Sequence, residues 1–118
     1  MRAALIALLL AAAPLAAQEE VSRGSGATLR VLDKITGKTE DLALISGQDA
    51  VIGSLLVGLT ECRYPEGNLA GDAYAYVTID DGNESRRVFS GWMLASSPAL
   101  NALDHARYDV WVLRCTTS

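Results

Sequence analysis

His105 is the only histidine in this 118-residue chain, so general acid–base chemistry near neutral pH would be organised around it. Asp104 precedes it, and Ser90, Ser96 and Ser97 lie close in sequence, which allows a Ser-His-Asp hydrolase to be composed. The pattern for such a site is otherwise missing. Gly-x-Ser-x-Gly is absent, and no strand-to-helix elbow presents a serine. A lone histidine at the end of a short helix more commonly faces the negative end of the helix dipole. The expectation is therefore no catalytic residue, with a serine hydrolase using Ser96 or Ser97 and His105 as the weaker alternative. Asp80, Asp81 and Glu84 crowd one turn and invite a calcium reading. The alternating ligand series of a calcium loop is lacking, and a solvated turn is expected instead. No metal and no cofactor is expected.

Cys62 and Cys115 are the only cysteines. With one histidine they make a poor zinc set, because structural zinc takes four ligands at close spacing. An even count in an exported chain reads as a disulfide. Tyr64, Tyr74 and Tyr76, with Arg63, Arg86 and Arg87, supply the residue types that protein interfaces favour. Tyr64, Tyr74, Tyr76, Arg86 and Arg87 are the candidate interface. Paired strands around Asp80–Asn83 would set Tyr74 or Tyr76 beside Arg86 or Arg87, where they would equally form ordinary cross-strand pairs.

These residues sit on segments that read mostly as β-strands. Residues 28–35 and 39–45 form a hairpin around Gly37, with Leu29, Val31 and Ile35 on one side. Residues 50–62 read as one strand, since Gly53 and Gly58 would weaken a helix by about 1 kcal/mol each. Residues 63–71 are irregular. Residues 73–79 and 86–92 pair across an Asp-Gly turn. Residues 96–103 suggest a helix of one or two turns, with a serine cap, Pro98 in its first turn, and Leu100 and Leu103 sharing a face. Residues 107–115 form the last strand, with Tyr108, Val110 and Val112 opposite Trp111, Leu113 and Cys115. Phe89, Trp92 and Trp111 carry the largest burial energy and are the expected core. The fold class expected is mainly β: a small antiparallel β-sandwich or partly open barrel with one short helical turn and one disulfide.

The N-terminus has the layout of a secretory signal peptide: Arg2, an apolar run from Ala3 to Ala13, Pro14, and Leu15-Ala16-Ala17 before a polar segment. The run is too short to span a bilayer, which takes ~20 apolar residues. Cleavage after Ala17 takes 17 residues and the charge of Arg2 from a 118-residue chain of net charge −4, leaving 101 residues at −5. The expected organisation is a signal peptide over 1–17, a flexible lead-in over 18–26, and one β domain over 27–118, located in the periplasm. The acidic balance argues against nucleic acid and anionic lipid as partners.

The stretches Leu32–Gly37, Cys62–Pro65, Phe89–Met93 with its Ser-Gly-Trp-Met block together with Ala95–Leu100, and Tyr108–Cys115 with Trp-Val-Leu-Arg-Cys, carry a resemblance. Through them residues 27–115 resemble a family of small exported Gram-negative bacterial proteins, domain-of-unknown-function family 2155. The resemblance brings no activity and no catalytic residue. Members of the family tend to be encoded near an accessory subunit of respiratory complex I, which implies a part in envelope bioenergetics or assembly, with any contact made from the periplasmic side. The function expected is a non-enzymatic periplasmic domain acting through contacts with an envelope protein, as an accessory or assembly factor. The alternative is a small β-sheet module binding an apolar or glycan ligand over Trp92, Trp111 and the tyrosines.

Overall fold

The computed structural model describes residues 20–118. The signal peptide expected over 1–17 lies outside the described residues. Among the described residues the strands run β1 (Val21–Arg23), β2 (Gly26–Asp33), β3 (Thr39–Ile45), β4 (Asp49–Ile52), β5 (Leu55–Pro65), β6 (Tyr74–Asp81), β7 (Arg86–Leu94) and β8 (Tyr108–Thr116). They form two antiparallel sheets. One has the order β1-β5-β6-β7, with β4 also on β5; the other has the order β3-β2-β8. Inward residues of both sheets, chiefly Leu29, Val31, Leu55, Val57, Leu59, Val77, Ile79 and Val112, are at most 2% exposed and make the core between them. Alternation along each strand puts polar and aromatic residues on the two outer faces.

Several local expectations give way to specific chemistry. The lead-in expected over 18–26 is structured from Val21, because β1 pairs with the end of β5. The chain then changes sheets at Gly24 and Ser25. The Gly24 amide donates to the Cys62 carbonyl of one sheet, and the Ser25 amide to the Thr116 carbonyl of the other. A side chain at Gly24 would meet the Thr116 carbonyl at 2.8 Å, so the crossing needs glycine. The strand expected over 50–62 is two strands. Ile52 pairs with Leu55 around Gly53-Ser54, and Gly53 takes φ +56°, which is the positive angle a two-residue hairpin demands. Strand β2 stops at Asp33, whose carboxylate accepts the amides of Ile35 and Thr36. Ile35 is therefore 71% exposed rather than inward. The expected helix shrinks to one 3-10 turn over Pro98–Leu100 without a side-chain cap at Ser97. Leu103 is buried, and Leu100 is 72% exposed.

Three β-bulges set which residues face inward. Register slips by one at Thr60 on β5, at Val88 on β7 and at Leu113 on β8. Strict alternation from Leu55, Val57 and Leu59 would turn Cys62 outward; the extra residue Thr60 turns it in. Leu113 does the same for Cys115, which a strict period of two placed with Trp111. Both cysteines are buried and joined as a disulfide between the two sheets.

Of the expected core residues, Phe89 faces inward opposite Ile79 and is 9% exposed. Trp92 and Trp111 do not join it. Each lies an odd number of positions from an inward residue of its strand, Met93 and Val110, and each is half-buried on an outer face. Leucine, valine and isoleucine, with Phe89, Met93 and Tyr108, fill the space between the sheets, and the tryptophans stand on opposite outsides of the sandwich.

Candidate functional site

The outer face of the larger sheet brings aromatic and charged residues into one patch. Register aligns Arg23, Arg63, Tyr74 and Leu94 across four strands, and aligns Glu61, Tyr76 and Trp92 in the next row. Tyr76 meets Trp92 edge to face, ring centroids 5.3 Å apart, a geometry that adds about 0.5–1.5 kcal/mol beyond burial. The Arg63 guanidinium lies 5.2 Å over the Trp92 ring. It also holds Glu61 through two bonds of 3.0 and 3.2 Å. Arg23 reaches the same carboxylate at 3.1 Å. The hydrogen bonds of Arg63, with the charge of Arg23, hold Glu61 below the usual carboxylate range. Arg63 is thus already ordered, so a partner would not bear the cost of immobilising it. Beside this cluster Val21, Arg63, Tyr74, Trp92 and Leu94 line a shallow cavity of about 290 Å³. Two of the three tyrosines expected at an interface are here.

The rest of that expected surface is elsewhere. Tyr64 follows Cys62 inward and packs against the core. Arg87 bonds Asp80 at 2.8 Å and Arg86 bonds Glu84 at 3.1 Å, both at the hairpin end of the sheet. Tyr76 and Tyr74 stand opposite Trp92 and Leu94, so neither stands directly across the strands from Arg86 or Arg87. The Asp-Gly turn is a four-residue loop in which Ser85, φ 52°, supplies the positive angle. Longer loops move the cross-strand partners along, which is why the pairing read from the turn shifts. Arg63 was visible as an interface residue type, but Glu61 had no sequence signal because the Thr60 bulge decides its face.

A second cluster gathers around His105. Its Nε2 lies 2.7 Å from Asp81 Oδ2, and its Nδ1 accepts the backbone N–H groups of Arg107 and Tyr108 at 3.0 and 3.2 Å. Two donors on Nδ1 leave the ring proton on Nε2, which donates it to Asp81. Asp81 is 3% exposed, not the solvated turn residue expected. The His105 bond, followed by the Asn83 amide and the Ser54 hydroxyl, holds its carboxyl below the ordinary value against the opposing effect of burial. Ser96, in contrast, donates to Asp72 at 2.6 Å, and Asp104 is not the partner of His105. The structure does not assemble the Ser96–His105–Asp104 set. Neither ring nitrogen of His105 is left to accept a proton from a hydroxyl.

Asp81, Glu84 and His105 offer ligand atoms within 4.8 Å of one another. A metal at Nε2 would need the proton moved to Nδ1, where two N–H groups already point. Glu84 is moreover engaged by Arg86. The donor set does not fit a cation.

The same loop is tied to the other sheet. Lys34 Nζ donates to the His105 carbonyl at 2.6 Å, and Arg107 holds Asp33 at 2.8 Å. The Arg107 bond, with the amides of Ile35 and Thr36, lowers the Asp33 pKa to about 2. Because this carboxyl is stronger folded than unfolded, its contribution is complete above the unfolded value of about 3.9. It is lost as pH falls from there through about 2. Asp33→Asn should flatten that part of the acid-unfolding profile, read by circular dichroism; an unchanged profile would mean the Arg107 contact has no energetic role.

Residues 27–115 match the model of a family described as uncharacterized proteins conserved in bacteria, DUF2155. The chain is 28% identical over 87 residues to an uncharacterized protein of Rickettsia prowazekii (strain Madrid E). That similarity covers 71% of this chain and 56% of the relative, so the chain spans little more than half of the relative's length. No solved structure matches. With a family match running from the start of β2 to the second cysteine, the chain belongs to the DUF2155 family.

Proposed function

We propose that this chain is a non-enzymatic periplasmic domain that acts through protein contacts, as an accessory or assembly factor of an envelope complex. The observation that carries the reading is the Tyr76–Trp92–Arg63 cluster beside its apolar cavity. Tryptophan, tyrosine and arginine are the residue types that dominate binding energy at interfaces, and here they stand ordered on a rigid sheet rather than on loops. A planar sugar platform fits less well, because Arg63 lies over the indole face that a sugar ring would cover. Secretion through the signal peptide at 1–17 would deliver the chain to an oxidising compartment, where the disulfide forms.

A photo-crosslinking residue at Ser90, exposed on this face, should yield one reproducible protein adduct in living cells. The same residue at Ala43, exposed on the outer face of the other sheet, should not. Trp92→Ala should weaken the contact by about 2 kcal/mol, or about 30-fold. Adducts equally abundant from both faces, or none from Ser90, would sink the reading. An apolar small molecule retained by the purified protein, with no adduct, would move the assignment to a ligand-binding module.

A further inference from the structure

The patch ends at β1, the edge strand of its sheet. Gly24 donates to the Cys62 carbonyl and Glu66 donates to the Glu20 carbonyl, so Ser22, midway between the flanking Glu20 and Gly24, is the residue of β1 whose backbone bonds to β5. Val21 and Arg23, opposite Pro65 and Arg63, alternate with them. Their N–H and C=O groups therefore point away from β5. Pro65 fits this phase, since a residue in that position needs no N–H. Among the described residues nothing pairs with the outer edge of β1. An open edge of this kind is a template for one more strand.

The side chains of Val21 and Arg23 fall on the aromatic face. Val21 lines the cavity with Arg63, Tyr74, Trp92 and Leu94. Arg23 and Arg63 share the single carboxylate of Glu61, so the rim carries one positive charge in excess. Arg23 is the more open, its side chain 69% exposed. Residues of an added strand opposite Val21 and Arg23 would be two apart and on the same face. We infer that β1 is a strand-addition site for an extended segment of the partner protein. That segment carries a large apolar residue for the cavity and, two positions away, a carboxylate for Arg23. This inference rests on the contact reading above and names the form of its ligand.

The test uses the oxidised protein and blocked pentapeptides in which a leucine, phenylalanine or tryptophan is separated by one threonine from aspartate or lysine, in either order. Amide exchange by NMR should show Ser22 protected in the free protein and Val21 and Arg23 fast. Aspartate peptides should slow Val21 and Arg23 and shift the Trp92 indole signal, with lysine peptides binding about tenfold more weakly. Val21→Pro removes one outward N–H at an edge position that tolerates proline. It should abolish protection at Arg23, whereas Val21→Ala, which keeps the amide, should retain it. Chemical-shift dispersion reports whether both variants fold. A shifted indole without protection of Val21 and Arg23 would overturn strand addition while leaving the contact face standing. Lysine peptides binding as well as aspartate ones, or no peptide moving either signal, would overturn the inference; the Ser90 adduct judges the contact face separately.

Discussion

Loss of the Cys62–Cys115 disulfide, by reduction or by Cys62→Ala with Cys115→Ala, is expected to lower the thermal unfolding midpoint by about 15–30 °C. The bond closes a loop of sequence separation 53, for which chain entropy gives about 4 kcal/mol. A domain of this size has about 5–15 kcal/mol in total, and each kcal/mol moves its midpoint by about 4–8 °C. Position adds to the entropic effect. Cys62 lies on the larger sheet and Cys115 on the smaller, so the bond crosses the core and pins one end of the sandwich. The chain also changes sheets there, at Gly24, whose added Cβ would stand 3.2 Å from that of Cys115. Thermal scans by circular dichroism with and without reductant check this. A drop under about 5 °C would mean that apolar contacts alone hold the sheets in register.

How much of this could be read from the chain depends on which rule governed each residue. Hairpin β2–β3, pair β6–β7, strand β8 and the disulfide follow from alternation, glycine placement and cysteine count, all local or compositional signals. What failed was phase. A bulge is one extra residue with no fixed sequence mark, and it reverses the facing of everything after it. Thr60 and Leu113 thereby placed Cys62 and Cys115 inward, against a strict period of two. Phase also decided the tryptophans. Ring size favoured burial for Trp92 and Trp111, but parity with Met93 and Val110 put them outside, and that displacement creates the candidate contact face. The Asp81–His105 pair was illegible for another reason: the residues are 24 apart, and each had a plausible local explanation, a turn and a helix end. The two-residue Gly53-Ser54 hairpin was concealed because the apolar residues around it kept strand composition on both sides.

His105 is the pin at the opposite end. Asp81 stands opposite Leu55, and Cys62 is seven residues further along β5, a separation of about 23 Å along the strand. The imidazole joins the β6–β7 hairpin to the start of β8 by donating at one nitrogen and accepting two amides at the other. His105→Ala would leave a carboxylate that is 3% exposed without its main donor, and two backbone N–H groups without their acceptor. The expected result is a fall in midpoint of about 10 °C or more at pH 7. His105→Gln should recover part of it, because one amide group can serve Asp81 or the backbone but does not span both. Asp81→Asn should cost less, since its carbonyl can still accept the Nε2 proton. The sign of the pH effect separates these roles. Asp81 has its pKa lowered on folding, so its contribution is present above about pH 4 and declines below it. The gap between wild type and His105→Ala should therefore narrow on acidification from pH 7 to 3, and Asp81→Asn should lose that part of the acid sensitivity. Urea unfolding at the two pH values measures the gap. If it stays constant, the stabilisation comes from packing of the ring against Tyr108, 5.5 Å away between centroids, and not from the carboxylate.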